Sequence, residues 1–241
     1  MVSSVIGGTF DFHDRGSAFP TPTPQQTNSG KRNERPTSKS AAVEENSDKR
    51  ERLSFKYVFS QPYFVYTRVV IEHDSTGVGR LSFDKKGSEE TITEKVVISE
   101  PVLRRLRMAF DSLRFLESDE NYQHRRDYSH LGTVEISLDD GIKTRTVSFN
   151  WTENVHAKAI MDDYRRLSQQ FIWVFDIKLS RDNQPLDSPD IMKALENLLR
   201  RNEIADPEQL LPFLEELSND ERLPLIARNS ARTIVRTISG K

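Results

Sequence analysis

The chain has 241 residues, 35% of them hydrophobic and 30% charged, with a formal net charge of −2. That composition suits one or two small domains plus a segment that cannot fold, and it excludes a single large core or a net charge that would recruit nucleic acid or an anionic membrane. The absence of cysteine excludes disulfides, thiolate metal sites and cysteine nucleophiles, and no apolar run approaches the roughly 18 residues that would cross a bilayer.

Residues 1–52 hold few large apolar side chains and cluster Pro, Ser, Thr, Gln and mixed charges. They cannot bury enough surface to offset the entropy of ordering, so a disordered tail is expected. The start, MVSSVIGGTFDFHDRG, lacks a basic region and has too short an apolar run for a signal peptide, which points to the cytoplasm. FPTPTPQQTNSG is of the kind that follows secretion signals or anchors, so a misplaced start would move that expectation to the cell envelope or the exterior.

From Leu53 the pattern changes. LSFKYVF alternates, with Leu53, Phe55, Tyr57 and Phe59 on one face, and FVYTRVVIEHD is β-branched and aromatic. The glycines of STGVGR suit a hairpin turn between strands. RLSFDKKGSEETITEKVVIS continues with a strand, a turn at Lys86-Gly87 and a strand through Val97. Ser99-Glu100-Pro101 then predicts a helix start: a capping hydroxyl, an acid in the first turn, and proline where its missing N–H is harmless. Val102, Leu103, Leu106, Ala109, Phe110, Leu113 and Leu116 fall within roughly 140° of helical arc, a core-facing stripe.

A polar loop, ESDENYQHRRDYSHLG, leads to the hairpin TVEISL-DDG-IKTRTVSFNW. Thr152 is the expected cap of a second helix. Ile160, Tyr164, Leu167, Phe171, Val174 and Phe175 share one of its faces; Lys158, Asp162, Arg166, Gln169 and Gln170 share the other. The spacing therefore predicts an α+β sandwich over residues 53–179, an antiparallel sheet with two helices on one face. After the linker RDNQPLDSP, three short helices follow over 188–239, starting at Ser188-Pro189, at Asp206-Pro207 with Gln209 in capping-box position, and in the closing DERLPLIARNSARTIVRTISGK. Their stripes (Leu195 and Leu198; Leu210, Phe213, Leu214 and Leu217; Ala227, Ala231 and Ile234) can close on one another, with Ile226 and Val235 left to dock on the sandwich or a partner.

Two resemblances follow. From Leu53 to about Phe175 the order of a three-strand meander, helix, polar loop, hairpin and helix, with the run S-E-P-x-L-x-x-L, resembles the small emfourin-type domain. That fold occurs in an inhibitor of bacterial thermolysin-like metalloproteases, and no inhibitory segment matches residue by residue. Residues 207–239 resemble one HEAT-type repeat. Leu210, Leu211, Pro212, Leu214, Leu217, Asp220, Arg228, Ala231 and Ile238 fall at the family's positions, and Ala227 stands where valine is commoner. Both families are mainly binding folds, so the resemblance implies interaction rather than chemistry.

For chemistry, His124, Asp127 and His130 stand at H-x-x-D-x-x-H spacing, and all three residue types ligate zinc or iron. Arg125 and Arg126 crowd that loop with charge that opposes a cation, and a solvated loop with incidental histidines is the competing reading. His73-Asp74 is either a dyad or a polar strand end; His156 is read as solvated. There is no G-x-S-x-G, no H-E-x-x-H and no glycine-rich phosphate loop. Arg104, Arg107 and Arg114 lie within about 80° on the first helix, and with Arg125 and Arg126 they form a candidate partner-binding face, set against internal pairing with Asp111, Asp119 and Glu120. The expectation is a non-catalytic protein-interaction or regulatory module, inhibitor-like towards a partner protein, with no cofactor or metal, no nucleic acid and no membrane span. The alternative is a metal-dependent enzyme using His124, Asp127 and His130.

Overall fold

A computed structural model describes residues 53–240, and these lie within one compact unit; the expected tail, residues 1–52, lies outside the described residues. Strands β1 (Ser54–Ser60), β2 (Tyr66–Asp74), β3 (Val78–Lys85), β4 (Thr91–Val97), β5 (Thr133–Asp139) and β6 (Thr144–Phe149) form one antiparallel sheet in the order β4-β3-β2-β1-β5-β6. The α+β class is as expected. Alternation sets the faces: Phe55, Tyr57, Val69, Ile71, Leu81, Phe83, Val134 and Ile136 are buried inward. The outer face carries cross-strand polar pairs. Glu72 takes Lys56 from one side at 3.0 Å and Arg80 from the other at 2.5 Å, and the Ser82–Thr93 and Ser137–Thr146 hydroxyls pair at 3.0 and 2.8 Å. In the β2–β3 turn, Gly77 has φ of +85°, and a Cβ on Gly79 would stand 2.0 Å from the Glu72 carbonyl oxygen, so both glycines of STGVGR are required by the hairpin.

Helix α1 (Glu100–Ser112) lays Val102, Leu103, Leu106, Ala109 and Phe110 on the inner face. Two expectations fail here. The Ser99 hydroxyl caps nothing and is buried without a partner among the described residues, the start resting on Pro101 and Glu100 instead. The helix also ends before Leu113, with Arg114 in the left-handed region at φ of +47°.

Helix α2 (Val155–Asn183) is longer than expected, 29 residues, or about 44 Å. Its cap is Asn154, whose side chain accepts from the His156 and Ala157 amides at 3.0 and 3.1 Å; Thr152 lies buried two residues earlier and accepts the Asn154 amide. Ala157, Ile160, Met161, Tyr164 and Leu167 join the sheet and α1 in one core. Trp173 and Ile177, farther along the same helix, belong to a second core. The other members of that second core come from the C-terminal helices α3 (Ser188–Arg200), α4 (Leu211–Asn219) and α5 (Leu225–Ile238), including Met192, Leu195, Leu214, Leu217, Ala227, Ala231 and Ile234. The three stripes therefore close with α2 as a fourth wall. Val235 packs on this core, whereas Ile226 is exposed.

Gln170, expected on the polar face, is buried and ties the two cores together. Its carbonyl accepts the Asp206 amide at 2.9 Å; its amide donates to Gln209 at 2.8 Å, and Gln209 donates to the Val97 carbonyl at 2.7 Å. Gln209 thus leaves the capping-box role, and Asp206 alone accepts from the Glu208 and Gln209 amides. Nearby, Arg105 of α1 grips Asp163 of α2 and donates to the Ala205 carbonyl at 3.1 Å. These bonds cross the seam between sandwich and helices.

Candidate functional site

Because α1 stops at Ser112, Arg114 does not continue the helical arc of Arg104 and Arg107. Arg107 donates to the Ser75 carbonyl and lies 3.5 Å from Glu100. Arg114 pairs with Glu117 at 3.5 Å, and Arg126 covers the Tyr128 ring at 5.3 Å. Arg104 and Arg125 are exposed and make no ion pair among the described residues. The five cations are dispersed along two segments, and three of them have local partners.

The histidine loop does not converge either. The His124 Nδ1 accepts the Arg126 amide at 3.0 Å, which leaves Nε2–H to donate to Glu153 at 3.1 Å. Asp127 accepts from the Asn150 side chain. The Tyr128 ring has His124 at 5.6 Å and His130 at 6.2 Å. Among the described residues no cluster of three His, Asp or Glu side chains is arranged to hold a metal ion. The His73–Asp74 dyad also fails: the Asp74 carboxylate turns to Thr76 and Val78 in the hairpin. The His73 ring is buried, with Nδ1–H donating to the Asp74 carbonyl at 2.8 Å and Nε2 accepting from the Tyr164 hydroxyl at 2.8 Å. Desolvation holds the His73 pKa below the usual histidine value, opposed by the Asp74 carbonyl.

The structure assembles a different site, at the seam of the two cores. Along α2, Arg165, Gln169, Ile172 and Asp176 follow one another three or four residues apart and so share a face. Ile191, Ala194 and Leu198 repeat that spacing on α3, with Arg201 at its C-terminal cap, pinned opposite by the Trp173 indole N–H donating to the Ile191 carbonyl at 2.9 Å. The third wall is the segment between β1 and β2. Together they enclose a groove of about 850 Å³, within the size range of ligand sites.

The third wall departs from the sequence pattern. The β-branched and aromatic run starts at Phe64, but β2 begins at Tyr66, and Tyr63, Phe64 and Val65 form an exposed lip, 84%, 46% and 70% accessible. Gln61 holds the lip in place. Its buried side chain donates to the Ser129 and His130 carbonyls at 3.2 and 2.9 Å, and its backbone carbonyl accepts the Phe64 amide at 3.1 Å. The signal was available: Gln61-Pro62 interrupts the ladder, and three consecutive apolar residues cannot all face one side of a sheet.

The groove is mainly apolar with polar groups at its ends. Asp176 accepts from the Tyr66 hydroxyl at 3.1 Å and meets Lys85 at 3.5 Å. Burial, and then the Asp176 charge, push the Tyr66 pKa above its ordinary value. Tyr57 reaches the groove floor from β1 with its pKa raised by burial, an effect that the Arg165 charge opposes. Among the described residues no histidine lines the groove, and the Ser168 hydroxyl is given to the Tyr164 carbonyl at 2.8 Å. The site therefore offers apolar area and a few fixed donors, and no nucleophile paired with a base. A scan against protein-family models finds no match to the chain, and neither does a search of curated proteins. Among the described residues no helix is long and apolar enough to cross a membrane.

Proposed function

We propose that the protein is a non-catalytic binding module that engages a partner protein through the groove between α2, α3 and the Tyr63–Val65 lip. One observation carries this reading: consecutive large apolar side chains are held out over an apolar groove, where contiguous exposed apolar surface marks an interaction site. The anchoring of the lip by buried Gln61 supports it, since a binding wall must keep its shape before the partner arrives. The resemblances to emfourin-type and HEAT-type folds, both chiefly binding folds, support it too, and a regulatory or inhibitor-like role belongs to the same reading.

The experiment compares two surfaces of one protein. Affinity capture with the full chain, with Phe64→Asp and with Arg104→Glu should yield a partner that Phe64→Asp loses and Arg104→Glu keeps. The reverse pattern would move the site to the arginine face and overturn the proposal.

A further inference from the structure

This inference rests on the groove being the binding site and concerns what the groove recognises. Tyr57 is 1% exposed, with its ring stacked on Tyr164 at 5.0 Å. Yet its hydroxyl opens on the groove and makes no hydrogen bond with any described residue. A ligand that covers this hydroxyl must bring an acceptor or bury an unpaired donor. Burial keeps the proton on the phenol, and the influence of the Arg165 charge on Tyr57 puts both groups in one electrostatic neighbourhood. Arg165 is exposed, and its one ion pair among the described residues is long, 3.9 Å to Asp162, a carboxylate that Lys158 also holds. At the other end Asp176 is already met by Tyr66 and Lys85, and Arg201 by Glu203 at 2.8 Å. Tyr63, Gln169 and Asn197 line the groove with neutral donors that can take any acceptor; Tyr57, buried, and Arg165, a cation without a close carboxylate, are the pair that calls for a carboxylate.

The walls decide the conformation of the occupant. Two of them are helices, whose backbones are bonded internally. The third is a turn and not a strand edge: Phe64 N–H goes to the Gln61 carbonyl at 3.1 Å, Tyr63 N–H to the Gln61 side chain at 3.4 Å, and the Val65 carbonyl accepts from the Lys86 amide at 2.9 Å. An extended peptide would find no ladder to join, whereas a helix closes its own hydrogen bonds. From Arg165 to Asp176 the α2 stripe runs about 16 Å, the length of about three helical turns. We infer that the groove receives an amphipathic helix of the partner protein, with its apolar stripe on Phe64, Ile172 and Leu198 and an acidic side chain held by the Tyr57 hydroxyl and Arg165.

The test is selection of displayed random peptides of about 14 residues, long enough for those turns, on the full-length chain, with the Phe64→Asp chain as counter-selection. Expected are Phe64-dependent binders with apolar residues at i, i+3, i+4 and i+7 and Asp or Glu at one end. A synthesised binder should gain helical circular dichroism and shift the Trp173 emission. Tyr57→Phe, which keeps the stacked ring, and Arg165→Gln should each weaken it about tenfold, the size of a hydrogen bond to a charge. The same peptide with Gln in place of its acid should bind both variants and the parent alike. On the parent chain alone the Gln peptide should bind about tenfold more weakly than the acidic one, a comparison that needs no variant of the protein to fold. Absence of any Phe64-dependent binder would overturn the groove reading itself. Phe64-dependent binders that alternate in period two, or lack the acid, would overturn this inference and leave the groove. A chain that sediments as a dimer dissolved by Phe64→Asp would seat a second copy there and overturn it too.

Discussion

The first half of α2 lies in a core built on a sheet and crowded with rings, while its second half lies in one built of helices with few rings. In the sandwich, Phe110 meets Phe55 at 5.3 Å and Phe115 at 5.1 Å, and Tyr164 stacks on Tyr57. In the helical core the one ring pair among the described residues is Trp173 with Phe213, 6.3 Å apart, and the centre is held by Ala227, Ala231, Leu214 and Leu217. Geometry explains the contrast. A helix stands about 10 Å above a sheet and needs long side chains to fill the gap, whereas paired helices approach to about 8–10 Å and alanines suit the closest crossings. A single helix can serve both cores because its stripe changes partner along its length. On the side of α2 that carries Arg165, Gln169 and Asp176, which neither core covers, the groove opens.

The strongest attempt to break that contrast is to empty each core in turn. Leu106→Ala in the sandwich and Leu214→Ala in the helical core should each cost about 2–5 kcal/mol. Because α2 runs through both, Trp151 and Trp173 should report one shared transition in either variant. A variant that shifts one tryptophan signal and leaves the other in place would mean two independent units. A smaller blow falls on the seam. Gln170→Ala strips the Asp206 amide of its acceptor and should cost about 1–3 kcal/mol. Its signature is separation of the two tryptophan melts, and a melt that stays single would show that Gln170 is not the tie.

Acid should act on the sandwich side. The folded state keeps His73 neutral, with its pKa lowered by desolvation. Above neutral pH the residue makes no difference, because it is uncharged both folded and unfolded. As pH falls through the ordinary histidine range, the unfolded chain takes up a proton that the folded one refuses, so stability drops. The drop levels off once the folded His73 is protonated as well. Denaturant melts between pH 8 and 5 should show this decline, and His73→Phe, which preserves a ring against Phe55, should flatten it. An unchanged slope would assign the decline to other groups. The smallest effect belongs to the dispersed arginines: Arg104→Ala and Arg125→Ala should each move stability by less than about 0.5 kcal/mol, and a larger loss by chemical denaturation would reveal a partner that the structure does not contain.

The strands and the α1 stripe were legible because their period is local: alternation over Phe55 and Tyr57, and a three-to-four spacing over Leu103, Leu106 and Phe110, are set by the geometry of strand and helix alone. The largest errors have one cause, which is that a partner distant in sequence decided the outcome. Gln170 reads as a surface amide until Asp206 and Gln209 arrive to take its oxygen and nitrogen. A smaller error was local: Thr152 reads as the cap of α2, but Asn154, two residues on, takes that start by reaching two free amides.

The candidate site was hidden for the same reason. Its residues come from positions 57 to 66, 165 to 176 and 191 to 201, each a fragment of a stripe that looks like core by itself. The sequence by itself determined which residues face inward along the strands, where the chain turns and which helix faces are apolar, because backbone geometry and the period of burial are short-range properties. Tertiary structure alone decided that α2 outruns the sandwich to enter a second core, that the Tyr63–Val65 run stays outside the sheet, and that the Tyr57 hydroxyl finds no partner among the described residues, since each depends on which surfaces remain uncovered after the helices have packed.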